Sequence, residues 1–149
     1  MCSPPCTLPR LGVVLSPSLA TIRLFIHVVA ASVWVGGQIA LAGVVPAIRR
    51  DHPQATRTIA RAFGRVAWPA FVVAVLSGVW NLMAVDITSA SGAYQATALA
   101  KIAVALASGV FAGIHAVGRT KIALAVGGAF GAVFALAAMF VGVLLHAHG

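Results

Sequence analysis

Two histidines inside long apolar stretches, His27 and His146, are of the right type to ligate a shared group. A pair of neutral imidazoles on opposing segments can hold a b-type haem or a copper ion. Met139 adds a soft thioether suited to Cu(I), about two helical turns deeper than His146, so it would mark a second station. Arg23 and Lys101 are cations that can hold a carboxylate or another anionic head group, and Asn81 adds an amide. The competing readings are plain. His146 stands three residues from the C-terminus and can be solvated beside His148, and Lys101 can snorkel to an interface. His115 with Arg119 reads as a pair at the opposite interface rather than as a ligand. Cys2 and Cys6 form a lone C-x3-C, which fits an inert tail better than a metal-capturing pair or a small disulfide.

These residues need elements to position them, and composition says which. Hydrophobic residues make up 61% of the 149-residue chain and charged residues 8%. Soluble domains carry about a quarter charged residues. So few charges cannot cover a water-facing surface, and the solvent for most of this chain is expected to be lipid. Residues 1–19, with Pro4, Pro5, Pro9 and Pro17, read as a flexible N-terminal tail. Residues 20–149 form one domain. Four apolar runs follow at about 22–48, 66–85, 96–118 and 122–146, each near the ~20 residues that span hydrocarbon. Backbone groups in lipid must be paired within the segment, so the runs are expected to be helices. The fold class is therefore all-α, an integral membrane four-helix up-down bundle. Gly36, Gly37 and Gly43 in the first run, and Gly127, Gly128 and Gly131 in the fourth, are expected to let helix backbones approach closely.

Charge sets the expected direction of each span. The gap from Arg49 to Arg65 carries five arginines against Asp51, and Arg119 and Lys121 flank the third gap. The gap from Asp86 to Gln95 has no Lys or Arg. The positive-inside rule then places both termini outside and seven of the ten basic residues in the cytoplasm. His52-Pro53 reads as a helix start, and Arg57, Arg61 and Arg65 recur every four residues. A short interfacial helix between helices 1 and 2 is expected there, touching anionic lipid of the cytoplasmic leaflet. A solvated basic linker is the alternative. The net charge of +8 is absorbed by these gaps, so no nucleic-acid partner is expected.

Alternating helix direction now brings scattered residues to one depth. Arg23, His27, Trp34 and Gln38 are spaced by four, seven and four, which makes one stripe of helix 1. Lys101, Ala105, Ser108, Ala112, His115 and Arg119 make a stripe of helix 3. His27, Asn81, Lys101 and His146 come from four different helices and should share the outer half of the bilayer. Ionisable groups within spans are costly and are functional candidates by default.

The segment Arg23-Leu-Phe-Ile-His27 followed by Trp34-Val-Gly36-Gly37 resembles the first helix of the CopD-like copper-resistance domain. The order of later features is similar too: Phe63-Gly-Arg65 closing the basic gap, the Ser77-Gly78 step, a polar loop with Tyr94, and Lys101 at the head of helix 3. The resemblance covers about residues 21–148 and implies copper uptake or transfer at the inner membrane of bacteria. The related HemJ-like proteins share the four-helix plan, and that kinship implies haem b and oxidation of protoporphyrinogen. The chain departs from longer CopD proteins in having only four helices and no Met-rich motif. Three functions follow as expectations: copper handling at an outer His layer, a haem b membrane oxidoreductase, or a non-catalytic accessory subunit. No catalytic residue is assigned, and copper handling without catalysis is the leading reading. The small interior of four short helices is compatible with a homodimer or a larger membrane complex.

Overall fold

A computed structural model describes residues 17–147 and shows four helices: α1 (Leu19–Asp51), α2 (Pro53–Met83), α3 (Gly92–Val117) and α4 (Lys121–Ala147). No strand occurs among the described residues. Each helix is long and apolar enough to cross a membrane. The outside of the bundle is apolar as well: Phe25, Leu76 and Phe140 are each about two-thirds exposed. An apolar exterior around a mostly small-residue interior is what a lipid solvent requires, and the chain is a multi-pass membrane protein by this measure. Cys2, Cys6, His148 and most of the expected tail lie outside the described residues.

Local chemistry explains the helix ends. Ser18 caps α1 by accepting a hydrogen bond from the Thr21 amide at 3.1 Å, which starts the helix three residues before the apolar run. Ser91 does the same for α3 through the Tyr94 amide at 3.2 Å, and Thr120 for α4 through the Ala123 amide at 3.1 Å. Arg49 and Arg50 extend α1 beyond its apolar run, placing cations in the last turn where the helix dipole favours them. His52 is then the single linking residue. Pro53 restricts the residue before it to extended backbone, and His52 has φ −139° and ψ 71°.

The expected interfacial helix is not a separate element. Pro53 does begin a helix, but that helix runs unbroken to Met83 and carries Arg57, Arg61 and Arg65 on its first half, all exposed. Between Pro53 and Pro69 the weakest helix former is Gly64, which a helix interior tolerates, so change of polarity alone did not end the helix. Pro69 consequently sits mid-helix, and the carbonyl of Arg65 receives no amide there.

Packing pairs α1 with α2 and α3 with α4, and the pairs join where α1 meets α4. The two pairs are built differently. Between α3 and α4 the backbones touch: a Cβ at Gly127 would lie 2.6 Å from the His115 nitrogen, and one at Gly131 would lie 3.2 Å from the Ala112 nitrogen. Gly127, Gly131 and Ala135 form the buried stripe of α4. Between α1 and α2 side chains fill the space, with the Phe63 ring lying over Gly37. Gly36 and Gly43 have nothing near them, and Gly37 and Gly128 meet only the side chains of Phe63 and His115, so the expected backbone approach is found at Gly127 and Gly131 and not in helix 1. Mid-bundle, Trp34 packs on Trp68 and Phe71 at ring distances of 5.5 and 4.5 Å. Its Nε1 donates to Ser108 Oγ at 3.0 Å, and Ser108 donates to the Gly131 carbonyl at 3.0 Å. One hydroxyl thereby ties α1, α3 and α4 together.

Candidate functional site

Two turns from that central layer, toward the end bearing Leu19 and Ala147, the bundle holds a half-open cavity of about 420 Å³. This size suits a small organic ligand. Arg23 and His27 reach it from α1, Asn81 from α2, Lys101 from α3 and His146 from α4. Five polar residues separated by up to 123 positions in sequence thus line one space. Apart from Tyr94 the remaining walls are apolar or small, with Gly78 and Gly142 among them.

The geometry of His27 is set by α2. Its Nδ1 lies 3.0 Å from the Ala74 carbonyl and 3.0 Å from Ser77 Oγ. The Ser77 hydroxyl points its own proton at the Val73 carbonyl, 2.6 Å away. Carbonyl oxygens only accept, so the proton of a neutral His27 sits on Nδ1 and is shared between Ala74 and Ser77. Nε2 keeps the lone pair. Such a backbone-anchored imidazole is what a metal or haem iron requires of a ligand. Gly78 makes room for the ring: a Cβ there would lie 3.1 Å from His27 Cε1.

The cations are positioned as well. Arg23 Nε donates to Asn81 Oδ1 at 2.7 Å, and Asn81 Nδ2 donates to the Ser77 carbonyl at 2.9 Å. This leaves the terminal guanidinium nitrogens for a further acceptor. The Lys101 amine lies against Gly142, where a Cβ would come within 3.0 Å of Nζ. Both side chains are partly buried. The whole chain has two acidic residues, Asp51 and Asp86, and neither lines the cavity. Among the described residues no carboxylate therefore neutralises Arg23 or Lys101.

Other candidates fall elsewhere. Met139 is 40% exposed and is not among the lining residues. A seven-residue step back from His146 keeps it on a neighbouring face, but that face turns outward. His115 is at the opposite end, where its Nδ1 donates to the Leu124 carbonyl at 2.6 Å and clasps the α3–α4 turn. Arg57, Arg61 and Arg65 also lie away from the cavity, in the first half of α2. Among the described residues no three His, Cys, Asp or Glu side chains gather to hold a metal ion.

Sequence reasoning missed the supports. The Ala74 carbonyl leaves no trace in residue types, although the neighbouring Ser77-Gly78 step is a visible signal. Tyr94 and Ala98 also line the cavity, and only the capping Ser91 hints that helix 3 starts early enough to include Tyr94. No family model, no curated protein and no solved structure matches the chain.

Proposed function

We propose that this membrane protein binds an anionic, largely apolar ligand in the cavity, with His27 and His146 as the imidazoles that would hold a metal or haem iron and Arg23 and Lys101 as the charge-complementary pair. One observation carries the reading: two cations and two imidazoles share a cavity lined by no Asp or Glu. An unpaired charge within a span is costly, and a ligand carboxylate answers it. Of the groups that the resemblance to CopD-like and HemJ-like proteins implies, haem b fits this donor set better than a bare copper ion. Its carboxylates would meet Arg23 and Lys101, and His27 Nε2 offers the lone pair that iron takes. Bound there, a haem would supply one-electron chemistry. Copper at the same imidazoles is the second reading, favoured by the anchored His27, and it needs an added anion to offset the two cations.

The protein is placed in the inner membrane of bacteria, with both termini outside, the cavity in the outer half, and the arginines of α1 and α2 on anionic lipid of the cytoplasmic face. The distribution of basic residues supports that orientation. A cysteine introduced in the 84–91 loop is then expected to react with an impermeant thiol reagent added to intact cells.

The absorbance spectrum of detergent-purified protein tests the ligand. A Soret band that disappears in His27→Ala and persists in His115→Ala supports haem. A colourless protein that binds Cu(I) and loses it in His27→Ala supports copper. Neither behaviour, with stable co-purification of other chains, would assign the accessory-subunit role. Arg23→Gln or Lys101→Gln should weaken haem binding by roughly ten-fold or more, since a charge-assisted hydrogen bond contributes about 1.5–3 kcal/mol.

A further inference from the structure

We propose that the cavity is loaded sideways, from the bilayer, through the seam between α2 and α3, and that its ligand is a lipid-soluble carboxylate. This rests on the cavity reading above and adds the route and the physical class of the ligand.

Three observations converge on the seam. The close packing of the bundle is α1 on α2, α3 on α4 and α1 on α4, and no comparable packing joins α2 to α3. What bridges these two helices is a pair of large rings on small residues. Phe71 lies over Gly109, where a Cβ would come 2.5 Å from the ring, and Trp68 reaches toward Gly113. The rings act as a floor at mid-bundle and hold the helices apart. Above that floor the lips of the seam are Val75 and Val79 on one side and Ile102 and Leu106 on the other. Val79 and Leu106 line the cavity and stay 44% and 48% exposed. Leu24 and Val85 do the same at 43% each, but α1 is packed on both α2 and α4, whereas α2 and α3 have no comparable packing to close the side between them. Leu106 lies fourteen residues into α3, about 20 Å from its start, so the opening faces hydrocarbon and not water.

The ligand's character follows from what it must pass and what it meets. Apolar lips pass an apolar body. Behind them wait Arg23 and Lys101, unanswered by any acid of the chain in the cavity. A volume of about 420 Å³ admits one chain or one flat ring system, and a two-chain phospholipid exceeds it. A single apolar body bearing a carboxylate meets all three conditions.

The test uses the full chain in phosphatidylcholine vesicles containing hexadecanoic acid with a mid-chain diazirine. After irradiation, labelled residues are mapped by mass spectrometry. Label concentrated on Val75, Val79, Ile102 and Leu106, at least five-fold above outward residues such as Phe140, supports the proposal. The methyl ester of the same probe should lose that enrichment, as should the double variant Arg23→Gln/Lys101→Gln. Even labelling over the exterior overturns the proposal, as does equal enrichment with the ester, or enrichment at the α1–α4 seam around Leu24 and Leu145. A Soret band in protein that shows no seam labelling would sink the route and leave the haem reading standing. Seam labelling in protein that takes up neither haem nor copper would do the reverse.

Discussion

Ser108 is almost wholly buried and serves three helices with one hydroxyl. Ser108→Ala removes the acceptor of Trp34 Nε1 and the donor to Gly131. Interhelical hydrogen bonds in membranes are worth about 1 kcal/mol, and a stranded buried N–H adds to that. Unfolding in mixed micelles should show a loss of about 1–2 kcal/mol, and Ser108→Thr should recover part of it if the methyl is accommodated. Gln38 presents the opposite case. Its Nε2 is buried with no partner among the described residues, against the same α4 stripe. Gln38→Met keeps the shape and removes the stranded donor, so stability should be unchanged or higher by about 1 kcal/mol. At the surface, Asp86 accepts from Thr88 Oγ1 at 2.6 Å. That hydrogen bond, with help from Ser89, holds its carboxyl below the usual aspartate range. A depressed folded-state pKa means the loop is stabilised above the unfolded value of about 3.9 and loses this support as pH falls through the folded value. Protection factors of residues 86–90, corrected for the intrinsic pH dependence of exchange, should therefore fall in acid, and Asp86→Asn should remove that fall.

Helix by helix, the glycines separate packing from mere composition. Gly127→Ala places a methyl against the His115 backbone and should destabilise the α3–α4 pair by about 1–3 kcal/mol. Gly36→Ala meets nothing and should be neutral or stabilising by up to about 1 kcal/mol through helix propensity. The two variants together, compared by unfolding in mixed micelles, test whether backbone approach or glycine content matters. The four spans were legible because lipid demands long apolar helices. The shared depth of Arg23, His27, Asn81, Lys101 and His146 was legible because residue spacing and alternating direction fix height along a bundle. Which way a face turns was not legible. Gly36 and Gly37 are neighbours in sequence and differ only in which one meets Phe63 on another helix. Met139 satisfied the spacing rule and still faces outward. The continuity of α2 through Arg57, Arg61 and Arg65 was hidden for another reason: a change from apolar to basic residues moves a helix out of lipid without ending it.

At the scale of the whole molecule, the chain divides into two helical hairpins linked by the 84–91 loop. Cutting there should leave the contacts of each hairpin intact. Residues 1–87 and 88–149 expressed as separate chains are expected to co-purify as one species, and Trp34→Phe should weaken that association by removing the bond to Ser108. The hairpins also differ in stiffness. In α3–α4 backbone rests on backbone, so that pair has almost no room to slide. The α1–α2 pair is spaced by rings and an imidazole. Any breathing of the space above Trp34 must then come from one rigid pair rocking against the other about the Trp34–Ser108 pivot. Spin labels on the ends of α1 and α4 should report a changed distance when a ligand fills that space, and labels placed within the α3–α4 pair should not.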